Sequence, residues 1–227
     1  MKVSGLSRYS CLSIGIAMLA GCGGSQPPIS ATGAMTQSSS LATRINRTHY
    51  KLLYSFGGPP DGKYPVGSLI DAGGTLYGTT ANGGANTCGY SSSEAFSCGT
   101  VFRITTGGTE KVLYSFGGPP DGNSPGASLF DAGGTLYGTT NRGGSLACGY
   151  TYAPGCGTVF SITPGGTEKV LHSFGNKSDG RYPDTPLIEV KGTLYGTTAN
   201  GGAYTCGLSS PLAISCGTVF RITPGGA

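Results

Sequence analysis

Three short motifs recur three times each, in one order, and this repetition constrains the fold more than any other feature of the sequence. The motifs are KLLYSF or a close variant at residues 51–56, 111–116 and 169–174, GTLYGTT at 74–80, 134–140 and 192–198, and GTVF at 99–102, 157–160 and 217–220. Successive copies of each motif lie 58 or 60 residues apart. This period indicates three copies of one supersecondary unit.

Each unit contains four short segments rich in Val, Leu, Ile, Tyr, Phe and Thr, separated by Gly-rich links. This pattern is typical of strands joined by hairpins. In the first unit the expected strands are a (68–71), b (75–80), c (100–105) and d (111–116). The a–b and c–d links are about three residues long and contain Gly-Gly, which supplies the positive φ of tight turns. We therefore predict an all-β fold of tandem four-stranded antiparallel meanders, like the blades of a β-propeller.

The positions at which the repeat region begins and ends suggest how the blades could join into a closed ring. The repeat region opens with a lone copy of strand d at residues 51–56 and ends at residues 225–227, where strand d of the third unit should begin. We expect residues 51–56 to complete the last of three blades by pairing with residues 218–222, because joined termini leave no open sheet edge. Propellers typically have about 4–8 blades. Three arrangements therefore remain open at this point. They are a three-bladed ring, a homodimer with six blades, and an open array shortened from longer relatives.

The N-terminus has the features of a bacterial lipoprotein signal. Lys2 and Arg8 precede an apolar run at residues 11–20, which is too short to cross a membrane. The run ends in Leu-Ala-Gly-Cys, which resembles a lipobox and implies cleavage before Cys22 and lipidation of its thiol. We therefore expect the chain to bind a membrane through a lipid on Cys22.

The residues after Cys22 indicate a flexible tether and a cellular location. Position 23 is Gly rather than the Asp that favours retention in the inner membrane, so we expect an outer-membrane lipoprotein in the cell envelope. The following segment is rich in Ser, Thr, Gly and Gln, a composition typical of flexible linkers. The predicted regions are a signal peptide at 1–21, a flexible tether at 22–48 and a three-repeat domain at 49–227.

Composition and charge exclude several classes of protein. Gly and Pro contribute 43 and 14 of the 227 residues, which excludes a mainly helical fold, and the recurring motifs argue against disorder. Lys plus Arg number 14 against 10 Asp plus Glu, and loss of Lys2 and Arg8 with the signal leaves 14 − 2 = 12. So small a positive excess argues against nucleic acid as a partner.

The motifs LYSFGGPPDG, GTLYGTT and GTVFRITPGG resemble the GloVer repeat of choice-of-anchor tandem-repeat bacterial surface proteins, over residues 50–226. The resemblance implies a secreted, surface-tethered repeat protein and brings no catalytic activity with it. Members of that family differ in their attachment device, and in this chain the lipid on Cys22 would serve as the anchor.

Six of the eight cysteines fall two per unit, in the b–c loop just before GTVF. In an oxidising compartment each loop should form its own disulfide. The expected pairs are Cys88 with Cys98, Cys148 with Cys156 and Cys206 with Cys216. Two thiols without a histidine do not complete a zinc shell, so we expect no metal and no cofactor.

Recurring carboxylates offer the alternative of catalysis. One set precedes Gly in the d–a loop and the other ends strand a: Asp61, Asp121 and Asp179, and Asp71, Asp131 and Glu189. Turn stabilisation is the favoured role, because Asp bonds the backbone of nearby residues, with calcium coordination and catalysis as alternatives. His172 takes the place of Tyr54 and Tyr114, and no nucleophile–histidine pair is apparent, so we assign no catalytic residue.

The long b–c and d–a loops should lie together at one end of the sheets, opposite the short hairpins. We call this end the long-loop face. Its tyrosines, amides and cations suit sugar or protein surfaces. The residues expected there are Lys63, Tyr64, Asn82, Tyr90, Arg142, Tyr150, Tyr152, Arg181, Tyr182, Asn200 and Tyr204.

Three functions are compatible with these observations. We favour a non-catalytic, lipid-anchored extracytoplasmic protein whose long-loop face binds a glycan or another envelope protein. The second is an extracytoplasmic carbohydrate-active hydrolase or lyase that uses loop carboxylates, namely Asp61, Asp121, Asp179 and Asp184. The third is a structural spacer or assembly subunit.

Overall fold

The computed structural model describes residues 50–88, 97–146, 148, 155–175, 178–206 and 214–226. The predicted signal peptide and tether, with Cys22, lie outside these residues. The described residues form strands, turns and irregular segments, with no helix among them. No helix of the length and hydrophobicity needed to cross a bilayer is found in this part of the chain.

The strands form one antiparallel sheet for each sequence unit, with one further short hairpin. Sheet 1 contains, in order, β1 (Gly62–Ala72), β2 (Thr75–Gly83), β3 (Thr100–Thr105) and β4 (Glu110–Ser115). In sheet 2, β5 (Gly122–Pro125) and β6 (Phe130–Ala132) both pair with β7 (Thr135–Gly143), which β8 (Thr158–Ile162) and β9 (Glu168–Ser173) follow. In sheet 3, β10 (Arg181–Pro183) and β11 (Ile188–Val190) both pair with β12 (Thr193–Asn200), whose other neighbour is β15 (Thr218–Ile222). The hairpin joins β13 (Thr205–Cys206) to β14 (Ile214–Ser215).

This topology confirms the predicted all-β fold built from antiparallel four-stranded sheets. The sequence strands a, b, c and d correspond to β1, β2, β3 and β4 in the first unit. The ring arrangement of a propeller stays a prediction.

The first strand of each unit is interrupted at the same place. The register of β1 against β2 shifts near its middle, and the corresponding segments of the next two units divide into separate strands. A residue with positive φ precedes each interruption: Tyr64 at 57°, Ser124 at 53° and Tyr182 at 60°. This conformation directs the N–H of Ser124 to the carbonyl of Cys98 in the preceding unit, at 2.9 Å. The interruption therefore connects one unit to the unit before it.

The sheets pack face against face, and the GTLYGTT strand contributes to both faces. Neighbouring strand residues point to opposite sides of a sheet. In β7, Leu136 belongs to the core shared with sheet 1, and Tyr137 belongs to the core shared with sheet 3. In β8, Phe160 faces sheet 1 and Val159 faces sheet 3. Each junction between sheets thus buries Leu and Phe of one unit against Tyr and Val of the preceding one.

Edge-to-face phenylalanine pairs recur at equivalent positions. Their ring centroids are separated by 4.9 Å for Phe56 and Phe102, 5.1 Å for Phe116 and Phe160, and 5.1 Å for Phe174 and Phe220. The second ring of each pair lies over the central glycine of the GTLYGTT motif. A Cβ on Gly138 would lie 2.5 Å from Cζ of Phe160, so only glycine leaves room for the ring.

Residues 51–56 do not complete sheet 3, contrary to our expectation from the sequence. They form no strand, and the only described strand that pairs with β15 is β12. Phe56 instead packs on Phe102 of sheet 1. In the other units, strand d makes two kinds of contact: it pairs with strand c of its own sheet, and its phenylalanine packs on a phenylalanine of the following sheet. Residues 51–56 make only the second kind of contact. Residues 51–56 therefore lie on the face of sheet 1 that is turned away from sheet 2.

Candidate ligand-binding face

A cation lies opposite an amide across the first two strands of every unit, at the long-loop face. The antiparallel partners are Lys63 and Asn82, Asn123 and Arg142, and Arg181 and Asn200. Side chains at directly opposite positions have Cβ atoms about 4.5–5.5 Å apart, so the half-buried amides of Asn82 and Asn200 can contact a ligand group together with their cations. Asn123 is only 3% exposed, which leaves Arg142 as the accessible member of its pair. The sequence predicted five of these six residues for the face and missed Asn123, whose only signal was its place between Gly122 and Ser124 in the copied strand.

Lys63 and Arg142 have no acidic partner among the described residues. Lys63 and Arg142 are exposed, and neither has a carboxylate oxygen within 4.0 Å among the described residues. The Nζ atom of Lys63 lies 4.8 Å from the ring centroid of Tyr64, within the range of a cation–π contact. Arg181 is half-buried. Lys63 and Arg142 therefore present two positive charges to solvent, on a face whose d–a loops also hold the half-buried Asp61, Asp121 and Asp179 and the exposed Asp184.

The predicted tyrosines differ in accessibility. Tyr64 and Tyr204 are 60% and 80% exposed and are free to contact a ligand. Tyr182 is half-buried against the core between sheets 2 and 3, and its N–H donates to the carbonyl of Cys156 at 2.8 Å. Its position is therefore set by the junction between units. Tyr90, Tyr150 and Tyr152 lie outside the described residues.

Each long b–c loop is closed by its own disulfide, as the cysteine spacing predicted. The bonds join Cys88 to Cys98, Cys148 to Cys156 and Cys206 to Cys216, with Cα–Cα distances of 5.3, 5.2 and 5.1 Å. Cys98 and Cys156 are fully buried, whereas both cysteines of the third bond are exposed. The first two bonds therefore anchor their loops in the cores between sheets.

The repeated sheets, motifs and loops agree with a comparison of the sequence with known families. The sequence profile of the Gloeobacter/Verrucomicrobia repeat matches residues 90–227. The chain belongs to this family. No curated protein matches the chain.

The aspartates of the GloVer units stabilise turns, as we favoured from the sequence. Both carboxylate oxygens of Asp61 accept hydrogen bonds: Oδ2 from the Tyr54 hydroxyl and the Gly57 N–H, each at 2.8 Å, and Oδ1 from the Gly62 N–H at 2.6 Å. Asp121 repeats this arrangement with the corresponding residues of the next unit. Asp71 accepts from Gly74 N–H at 2.8 Å across the a–b hairpin.

Other carboxylates occupy comparable positions. Asp131 and Glu189 accept from the N–H of Gly134 and Gly192 in the hairpins of the second and third units. Asp179 lies 3.0 Å from Nε2 of His172, which confirms that His172 takes the structural place of the tyrosines. Asp184 is exposed between β10 and β11.

A half-buried glutamate in the GloVer repeat lies near each Tyr–Asp pair, and sequence reasoning missed it. Burial and the nearby charge of Asp121 raise the pKa of Glu168 to about 7. Burial raises the pKa of Tyr114 as well, and its hydrogen bond to Asp121 adds to that effect. One carboxylate oxygen of Glu168 is buried without a hydrogen-bond partner among the described residues.

The first unit repeats this cluster with a more exposed tyrosine. The hydrogen bond to Asp61 raises the pKa of Tyr54 to about 12, and burial raises the pKa of Glu110. The sequence signal was the recurrence of Glu110 and Glu168 in the same Thr-Glu-Lys-Val context. The described residues contain no group of three or more His, Cys, Asp or Glu side chains arranged to hold a metal ion.

Proposed function

We propose that this GloVer-repeat protein is a lipid-anchored extracytoplasmic protein that binds an acidic glycan through its long-loop face. The observation that carries the proposal is the cation–amide pair at the same ladder position of all three sheets, in which the amides of Asn82 and Asn200 reach the surface and that of Asn123 is buried. An amide donates to and accepts from sugar hydroxyls, and an adjacent cation attracts a carboxylate or sulfate.

The repetition of these pairs favours a polymer as the ligand. Packed sheets lie on the order of 10 Å apart, so equivalent pairs recur at similar intervals along the array. Repeat proteins commonly use such regular surfaces to contact extended partners. A glycan is itself periodic, so successive sugars can meet successive pairs. Binding at several weak sites on one chain raises the overall affinity.

The environment of the protein supports the same proposal. Three disulfides, one per unit, are typical of proteins outside the reducing cytoplasm. The Leu-Ala-Gly-Cys sequence ending at Cys22 supplies a lipid anchor, and an outer-membrane location would place the long-loop face among envelope polysaccharides. Exposed Tyr64 and Tyr204 add aromatic surfaces on which sugar rings can stack.

A polysaccharide array probed with the full chain carrying Cys22→Ala tests the proposal, because this variant lacks the lipid site. We expect binding to acidic glycans that weakens as salt screens the charges. The variant Lys63→Gln/Arg142→Gln should reduce affinity about tenfold, since an exposed contact between charges contributes about 0.2–1 kcal/mol. The matched control is Arg103→Gln/Lys111→Gln, which removes two exposed cations paired near the opposite end of sheet 1 and should leave binding unchanged.

The same experiment separates the alternatives. Equal loss in both variants would show attraction to net charge rather than a site on the long-loop face. Release of reducing ends or unsaturated sugars from a bound glycan would support a hydrolase or lyase instead. Binding to envelope proteins without glycan binding would identify a protein partner, and absence of both would favour a structural spacer.

A further inference from the structure

We propose that two copies of this chain dock head to tail, with the outer face of sheet 1 of one copy packed on the outer face of sheet 3 of the other. The outer face of sheet 1 is the side turned away from sheet 2, and the outer face of sheet 3 is likewise the side turned away from sheet 2. The dimer would form whether or not the protein binds a glycan.

The two outer faces expose residues whose counterparts are buried inside the array. Leu69 on the first face is 49% exposed, whereas the equivalent Leu129 and Leu187 are 3% and 2% exposed. On the opposite face, Val219 is 78% exposed, and its counterparts Val101 and Val159 are completely buried. Each exposed residue lies where the next sheet of an extended array would cover it.

Every contact between neighbouring sheets in this chain has two halves, one formed by Tyr and Val and the other by Leu and Phe. Sheet 3 exposes the first kind of half on its outer face, and sheet 1 exposes the second kind. Between sheets 1 and 2, Tyr77 and Val101 pack against Leu129, Leu136 and Phe160. The outer face of sheet 3 presents the first half, with the equivalent Tyr195 and Val219. The outer face of sheet 1 presents the equivalent Leu69 and Leu76 of the second half. The equivalent Phe102 is already covered by Phe56, as Phe160 is by Phe116. The surface that fits one outer face is therefore the other one.

The outer face of sheet 1 also contains an unfilled apolar space. A cavity of about 250 Å³ lies between residues 51–56 and the sheet, lined by Leu53, Phe56, Leu69, Phe102 and Ile104 among others. Apolar surface of this kind is usually covered in a protein that associates with a partner. The tyrosine and valine half of a junction from another copy would cover it.

The backbone edges are complementary as well. The outer edge of β15 has no partner among the described strands, and residues 51–56 carry a strand d motif without a ladder. In sheet 1, Val101 pairs with Tyr114 and Arg103 with Lys111. The same register between copies pairs Val219 with Tyr54 of the second copy, and Arg221 with its Lys51.

Two such junctions close a ring. The surfaces are different, so the contact is heterologous and must either close or extend into a filament. Two copies of three sheets give six, within the range of about 4–8 blades in which β-propellers close. We therefore commit to a dimer with two identical junctions.

Light scattering and crosslinking on the full chain with Cys22→Ala test the dimer. We expect twice the chain mass of 22.7 kDa. Val219→Lys should halve that mass and leave a folded monomer with the far-UV circular dichroism of the wild type, because the side chain is exposed within one copy. Its melting temperature should fall toward that of a monomer, since it loses the stabilisation by association. Thr106→Lys, in the c–d hairpin at the other end of the sheets, is the control and should leave the dimer intact.

A cysteine pair distinguishes association from closure within one chain. Chains carrying Tyr54→Cys and chains carrying Val219→Cys should form a disulfide only when mixed, because opposite strand residues have the separation that a disulfide needs. The positive control is Val101→Cys/Tyr114→Cys in one chain, which already pairs. A monomeric chain, a dimer that persists with Val219→Lys, a species that grows beyond two copies, or the absence of a 54–219 bond between the mixed chains while the positive control forms its bond would each overturn the proposal.

Discussion

The hydroxyl of Tyr114 on β4 donates a hydrogen bond of 2.9 Å to the carboxylate of Asp121, which lies just before β5 of the next unit. The same carboxylate accepts from the N–H of Gly117 and Gly122. One side chain thus fixes the connection from the last strand of sheet 1 to the first strand of sheet 2. His172 preserves this geometry with Asp179, which explains why a histidine can replace the tyrosine.

Tyr114→Phe should destabilise the protein by about 1–2 kcal/mol, since it removes a hydrogen bond to a charged acceptor and keeps the ring. Urea unfolding should show a lower midpoint with an unchanged slope. Tyr204→Phe, at a tyrosine that is 80% exposed, is the control and should leave the midpoint where it is. An equal effect of both substitutions would show that the hydroxyl of Tyr114 is not structural.

Glu168 should make stability depend on pH. Its pKa is raised to about 7 by burial, from an ordinary value of 4.5, so the folded protein binds more protons than the unfolded chain between these values. The free energy of unfolding contributed by this group is greatest below pH 4.5 and falls as pH rises toward 7. Glu168→Gln should therefore flatten the decline in melting temperature between pH 5 and 7, an interval chosen from these two values.

The exposed hairpin carboxylate Glu189 provides the control for that measurement. Glu189→Gln keeps an oxygen that can accept from Gly192 N–H. Its melting temperatures should follow those of the wild type across the same pH range. If Glu168→Gln also follows the wild type, Glu168 does not hold an extra proton in the folded state.

The three disulfides should differ in their contribution to stability. Each closes a short loop, with sequence separations of 10, 8 and 10 residues, and should contribute about 2–3 kcal/mol through loop closure. Cys148→Ala/Cys156→Ala should cost more than this, because both side chains are buried in the core between sheets 2 and 3. Cys206→Ala/Cys216→Ala should cost less than the second pair, since these cysteines are exposed. Denaturant unfolding of the two variants ranks them, and the reverse order would contradict the burial argument.

Gly138→Ala should destabilise by about 1–3 kcal/mol, the usual cost of overpacking. The added methyl group would overlap the ring of Phe160, which is completely buried and has no space to move. Gly107→Ala is a suitable control, because its new Cβ would meet nothing closer than 3.6 Å. Calorimetric melting of both variants measures the difference. A stable Gly138→Ala would mean that the sheets can separate to accept the methyl group.

The sequence predicted the strands and disulfides because a copied motif reveals itself by repetition. The hairpin at Gly73 and Gly74 and the strand after it follow from local turn and strand preferences, and two cysteines in one loop have no nearer partner. The aspartate turns followed for the same reason, since Asp61 and its partners lie within seven residues.

Features that depend on contacts between units could not be predicted in the same way. A residue before proline normally has negative φ, so nothing local marks Ser124 as the positive-φ residue that bonds Cys98 of the preceding unit. Without the register of the interrupted strand, Asn123 could not be matched to Arg142. The motif at residues 51–56 is compatible with a ladder on one sheet and with ring packing on another, and only the structure shows which contact forms.

The adjacent Leu and Tyr of GTLYGTT have a consequence for how such genes change. Because Leu136 meets the preceding sheet and Tyr137 the following one, a duplicated segment of one repeat length encodes a sheet that already fits both neighbours. Unequal recombination within the coding sequence would therefore insert or delete whole sheets without requiring new core mutations. Natural variation should accumulate first as differences in copy number, while selection on individual residues acts mainly on the loops.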